Sequence, residues 1–151
     1  MRMSDRASAA DNATPSADAA RAACIHVCVS CREPGDVSAE RPGKRLYEAL
    51  RHAAALRSSV PEIVPVECLS VCKRPCTIGF AAPGKWTYVY GDFAAGEAQA
   101  EAILDAAALY AQAPDGIIPW RQRPDALKKG VVARIPPLST RIAPDLPEAA
   151  E

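Results

Sequence analysis

Five of the six cysteines in this chain fall into two groups, Cys28-x-x-Cys31 and Cys68-x-x-x-Cys72-x-x-x-Cys76. Each group sits just past a short apolar run rich in β-branched residues. Ile25-His26-Val27-Cys28-Val29 leads into the first, and Ile63-Val64-Pro65-Val66 into the second. Runs of that length and composition read as strands. Proline at 65 weakens the second, because it donates no ladder hydrogen bond.

What lies between the two runs decides how they can meet. Residues 32–42 carry Pro34, Gly35 and Pro42 and read as a loop. From Lys44 to Leu56, apolar Leu46, Ala49, Leu50, Ala53, Ala54 and Leu56 recur at helical spacing, with Arg45, Glu48, Arg51 and Arg57 mostly elsewhere. Ser58-Ser59-Val60-Pro61 ends that helix. A helical crossover of this length predicts a parallel strand pair. Parallel strands bring their C-terminal ends to one sheet edge, the edge where open α/β sheets hold ligands. Both cysteine groups are therefore expected at the same edge.

Downstream, Thr77–Ala82 and Trp86–Tyr90 predict a hairpin around Pro83-Gly84-Lys85. A second helix is expected from about Gly96 to Ala111, with Ala100, Ile103, Leu104, Ala107 and Tyr110 inward. The predicted order is β-α-β-β-β-α, an α/β domain over residues 23–113 with a mixed sheet of about four strands and two main helices. Seven of the fourteen prolines lie from Pro114 onward, which rules out long helices there. Residues 114–141 are expected to wrap the domain as an extended, proline-rich arm. Residues 1–22 are mostly small and polar, too poor in large apolar groups to offset ordering entropy, and read as a disordered tail. Residues 142–151 read as a flexible tail.

Four thiolates at one edge can close a [2Fe–2S] cluster or a tetrahedral Zn²⁺ site. The candidate ligands are Cys28, Cys31, Cys68 and Cys72. Cys76 falls at the start of the next strand and is either a spare thiol or the alternate fourth ligand. Lys73 and Arg74 could offset the charge of a thiolate-bound centre. The plainer reading, buried inert thiols, fits a lone cysteine better than two groups at strand ends. A catalytic dithiol at Cys28/Cys31 needs a helix starting at the motif, and Glu33-Pro34-Gly35 argues against one. Cys24 reads as a core or edge residue, His26 as structural although histidine can replace cysteine at some clusters, and His52 as a solvated side chain.

Charge is balanced, with eighteen basic and eighteen acidic residues, so nothing pulls the chain generally toward nucleic acid. No apolar run approaches the roughly 20 residues that span a bilayer. The N-terminal stretch lacks a continuous apolar segment, so no secretory signal is expected and the chain reads as cytoplasmic, where disulfides rarely persist. Arg121, Arg123, Lys128, Lys129 and Arg134 make the C-terminal region locally basic. That patch reads as a solvated face in preference to a docking site for an acidic redox partner. Trp86, Tyr88 and Tyr90 share one strand face and read as core or interface. No phosphate-binding glycine loop, nucleophile elbow or Ser/His/Asp set is present, and an enzyme is not expected.

Taken together, CxxC, VECLSVCKRPC, TYVYGDF, GIIPW-R-x-R-P and KKGVVARIPP resemble a functionally uncharacterised bacterial family. Its members are usually labelled predicted metal-binding proteins. The resemblance spans about Ile25 to Pro137. That family is in turn similar to thioredoxin-like [2Fe–2S] ferredoxins, whose second ligand pair is a CxxxC after a strand, matched here by Cys68 and Cys72. Their first pair is usually wider than Cys28-x-x-Cys31. The resemblance implies a thioredoxin-like fold and an electron carrier holding a [2Fe–2S] cluster, or a Cys₄ zinc protein. It further implies an unidentified redox partner protein and a homodimer, for which Trp86 and Tyr88 are contact candidates.

Overall fold

The computed structural model describes residues 17–138. Helix α1 (Ala17–Ala22) leads into strand β1 (Cys24–Cys28), then helix α2 (Pro42–Ala55) and strand β2 (Glu62–Val66). Strands β3 (Ile78–Ala81) and β4 (Thr87–Tyr90) precede helix α3 (Glu97–Gln112). A 3-10 turn (Trp120–Gln122), the single turn α4 (Asp125–Lys128) and strand β5 (Val131–Ile135) follow.

One sheet is formed, in the order β2-β1-β3-β4-β5. β1 and β2 are parallel with Cys28 opposite Val66, so the C-terminal ends of both strands reach the same edge, as the crossover length required. The other pairings are antiparallel. Pro65 is accommodated because β2 is an edge strand bonded on one side only. The β3–β4 turn has Pro83 followed by Gly84 at φ +71 and closes with Lys85 N–H donating to the Ala82 carbonyl, the residue pattern of a type II turn.

Register sets the core face. Ile25 lies opposite Phe80 and Phe80 opposite Tyr88, while Val27 lies opposite Ile78 and Ile78 opposite Tyr90. All six are buried, and they pack with Leu46 and Leu50 of α2 and Ile103, Leu104 and Tyr110 of α3. Burying a side chain of this size contributes about 2 kcal/mol each. Pro42 presets the first turn of α2, where its missing N–H costs nothing. The alanines at 100, 106, 107 and 111 on α3 are buried, small enough for close packing against the neighbouring elements.

Three expectations are corrected. Residues 17–22 are helical, with Ala20 buried, so the N-terminal tail is not disordered up to residue 22. Alanine has the strongest intrinsic helix preference, and α1 packs against α3. The rest of that tail, and the C-terminal one from residue 139, lie outside the described residues. Second, the proline-rich segment is not simply an extended arm. Its proline-free stretch between Gly130 and Pro136 supplies ladder donors and pairs with β4, giving a sheet of five strands. Third, Tyr88 is wholly buried against Tyr90 and Tyr110, so it offers no contact to a second copy. Trp86 is half-buried beneath the Arg134 guanidinium, 5.0 Å from the ring centre.

Candidate metal centre

The two cysteine groups meet at the β1/β2 edge. Val29 N–H donates to the Val66 carbonyl at 2.9 Å and Cys28 N–H to the Thr77 carbonyl at 3.0 Å, which ties the first group to both ends of the second. The Cys28 thiol points at the carbonyl of Glu67, the residue before Cys68, at 3.7 Å. Ser30 Oγ donates to the same carbonyl.

Behind Cys28 and Cys31 lies the start of α2. Gly43 N–H donates to the Cys31 carbonyl at 3.4 Å, and a Cβ at Gly43 would collide with the Cys28 carbonyl oxygen. Glycine is thus needed for the helix to approach this closely. The first amides of α2 serve a carbonyl and not a thiol, since the helix starts eleven residues after Cys31.

Cys28 and Cys31 are both buried and interact with each other. Burial pushes the Cys28 thiol up, but hydrogen bonds with Cys31, the Leu69 backbone and Ser30 outweigh it and leave the thiol below its ordinary range. Burial and the neighbouring Cys28 raise Cys31, whose thiol lies 3.9 Å from Thr77 Oγ1. Cys68 and Cys72 are exposed. The Cys68 sulfur accepts the Ser70 N–H at 3.2 Å, and Ser70 holds φ +58. Cys72 occupies a turn closed by Arg74 N–H donating to the Val71 carbonyl at 3.0 Å. Cys76 belongs to the hydrophobic core, wholly buried at φ +56, and burial pushes its thiol up to about 12.

Cys28 and Cys31 are thus a buried pair seated against the residue before Cys68, while Cys68 and Cys72 are exposed. Among the described residues, no three of His, Cys, Asp and Glu are grouped closely enough to hold a metal ion. The donor set nevertheless fits a thiolate-bound centre in kind: soft sulfur donors from two segments whose backbones are already bonded together.

Other residues fall away from the site. Cys24 is half-buried, donating to the Ala81 carbonyl at 3.5 Å beside His26. His52 is exposed on α2. Arg74 does not offset charge at the thiols, because Asp92 and two backbone carbonyls occupy its guanidinium. Arg123 donates to the Ile118 carbonyl and lies over Tyr88 and Trp120, and Lys128 pairs with Asp125, so part of the basic patch is structural. Sequence reasoning missed Thr77, whose hydroxyl donates to the Arg74 carbonyl at 2.9 Å while facing Cys31. A threonine directly after Cys76 is the one local signal for it.

The model of a family described as "Protein of unknown function (DUF1636)" matches residues 25–137. Comparison with curated proteins gives no match. Among solved structures, a thioredoxin-like [2Fe–2S] ferredoxin from Aquifex aeolicus superposes with a TM-score of 0.51 at 16% identity, covering 76% of this chain and 94% of that one. That likeness establishes a thioredoxin-like fold. No helix among the described residues is long and apolar enough to cross a membrane.

Proposed function

Since the chain belongs to the DUF1636 family, whose function is unassigned, we propose its role from its own site: a metal-binding protein of the ferredoxin type, carrying single electrons on a [2Fe–2S] cluster. Cys28, Cys31, Cys68 and Cys72 would hold the cluster. The carrying observation is the backbone junction at the β1/β2 edge, which seats the Cys28 thiol against the residue preceding Cys68. The shared fold with a [2Fe–2S] ferredoxin supports the same reading.

When bound, the cluster supplies the redox couple. The chain's own residues would position it and set its surroundings. Buried Cys28 and Cys31 would provide the dry side, where hydrogen bonds from Ser30 and the Leu69 backbone to the Cys28 sulfur would offset part of the thiolate charge. Exposed Cys68 and Cys72 provide the wet side, toward which a partner protein could approach. The work is carriage and not catalysis, in the cytoplasm, with an unidentified redox protein as partner.

A Cys₄ zinc site is the second reading. The two-residue spacing of Cys28 and Cys31 matches a zinc-binding knuckle. A thiol oxidoreductase is disfavoured, because no helix begins at Cys28 to activate it.

Serine replacements test the ligand set. Cys28→Ser, Cys31→Ser, Cys68→Ser and Cys72→Ser should each lose most bound metal, while Cys24→Ser and Cys76→Ser keep it. Metal retained in Cys72→Ser and lost in Cys76→Ser would move the fourth ligand to Cys76. Full retention in all six variants would contradict a thiolate site.

A further inference from the structure

Two segments outside the cysteine groups, Tyr90-Gly91-Asp92 and Lys129-Gly130-Val131, converge on Arg74 in the cysteine loop. The Arg74 Nε donates to Asp92 Oδ2 at 2.7 Å, and its terminal nitrogens donate to the carbonyls of Val131 and Lys129, each at 3.3 Å. Asp92 N–H returns a bond to the Pro75 carbonyl at 2.9 Å.

The backbones themselves pack at contact distance. A Cβ on Gly91 would lie 2.7 Å from the Arg74 carbonyl oxygen, and one on Gly130 would lie 2.9 Å from the Gly91 carbonyl oxygen. Gly91 N–H donates to the Gly130 carbonyl at 2.9 Å. Asp92 adopts φ +66 where its carboxylate meets Arg74. A left-handed conformation at a residue with a Cβ persists only where the surroundings hold it. From the junction a direct path leads to the thiols: the Arg74 carbonyl accepts the Thr77 hydroxyl, and that hydroxyl faces Cys31.

We propose that Arg74 is a positioning residue for the metal centre, clamping the loop of Cys68 and Cys72 to the C-terminal strand through Asp92 and the carbonyls of Lys129 and Val131. This rests on reading those cysteines as ligands. The planar guanidinium reaches three acceptors at once, which a lysine ammonium cannot match in geometry. The clamp gives the segment after residue 114 a role: it anchors the loop to β5, the edge strand at the far side of the sheet from β2.

Co²⁺ added to the metal-free chain is the probe, followed by sulfur-to-cobalt absorbance, with backbone hydrogen exchange over residues 67–77 measured before metal is added. Arg74→Ala should weaken Co²⁺ binding roughly 10–100-fold, the usual effect of removing a residue that orients ligands. It should also speed exchange in the loop. Asp92→Asn tolerates the same backbone conformation, guards against misfolding, and should act in the same direction; Arg74→Lys should recover affinity only in part.

Arg57→Ala is the control, since its ion pair with Glu101 is matched in exposure, 27% and 50% against 32% and 53% for Arg74 and Asp92. It should change neither readout. Wild-type affinity and exchange in Arg74→Ala and Asp92→Asn would overturn the clamp, as would equal losses in Arg57→Ala. A wild-type chain that takes up no Co²⁺ would sink the metal reading and with it the positioning role. Exchange would then report only whether the mechanical link exists.

Discussion

The Cys28 thiol lies 3.7 Å from the Glu67 carbonyl oxygen, one residue ahead of Cys68. Thirty-nine residues of chain separate the two, yet the parallel pairing of β1 and β2 makes them neighbours. The contact joins a buried thiol pair to a loop that carries two exposed thiols.

That division predicts an order of reactivity. In the metal-free chain, iodoacetamide should label Cys68 and Cys72 well before Cys28, Cys31 and Cys76, because alkylation needs an accessible thiolate. Saturating Zn²⁺ should protect Cys68 and Cys72. Mass spectrometry of labelled peptides reads both effects, and labelling of that pair unchanged by metal would argue against their being ligands.

Gly43 is the tightest point behind the site. Gly43→Ala should destabilise the fold by about 3 kcal/mol, at the upper end for overpacking, because the obstructing atom is the Cys28 backbone. Gly79→Ala meets its nearest neighbour at 3.4 Å and should change stability by less than about 1 kcal/mol. Urea unfolding of the two variants makes the comparison, and equal midpoints would show that α2 can withdraw from the cysteines freely.

Tyr90 carries a buried hydroxyl without a hydrogen-bond partner among the described residues. Leaving such a group unpaired is unfavourable, so Tyr90→Phe should stabilise the chain by about 1 kcal/mol. The stacked contact with Tyr88 survives the change. A lowered melting temperature would mean that the hydroxyl does have a partner.

Arg57 links the helices, pairing from the end of α2 with Glu101 and Asp105 of α3. The partners are half-exposed or more, so Arg57→Ala should cost no more than about 1 kcal/mol. The difference from wild type should shrink in molar salt, which screens exposed pairs. A loss that salt leaves untouched would assign the effect to packing of the arginine stem.

Much of this arrangement is legible in the chain because local pattern and global fold agree there. The β-branched runs at Ile25 and Ile63, with a helical crossover between them, announce a parallel pair and so a shared edge for the cysteines. The inward residues of α3 follow from spacing alone. Strand β5 is hidden by its setting among prolines, although Val131 to Ile135 holds none and is bracketed by Gly130 and Pro136. Helix α1 is hidden by composition, since a run of small residues carries no apolar periodicity and gains packing from α3, far along the chain. Arg74 illustrates a deeper limit. A cation beside cysteines suggests charge compensation, and only the fold brings Asp92 and the β5 carbonyls to it. Likewise, nothing in the spacing of the second group says that Cys76 turns into the core while Cys72 stays outside.

The central claim is a thiolate-bound metal centre of the ferredoxin type. An ultraviolet–visible spectrum of anaerobically purified chain, with iron, acid-labile sulfide and zinc assayed on the same sample, tests it most directly. The account predicts visible sulfur-to-iron charge-transfer bands with iron and sulfide in equal amounts, bleached on reduction. A colourless chain that holds no iron and resists cluster reconstitution would contradict it, and tightly held zinc in that sample would transfer the site to the zinc reading.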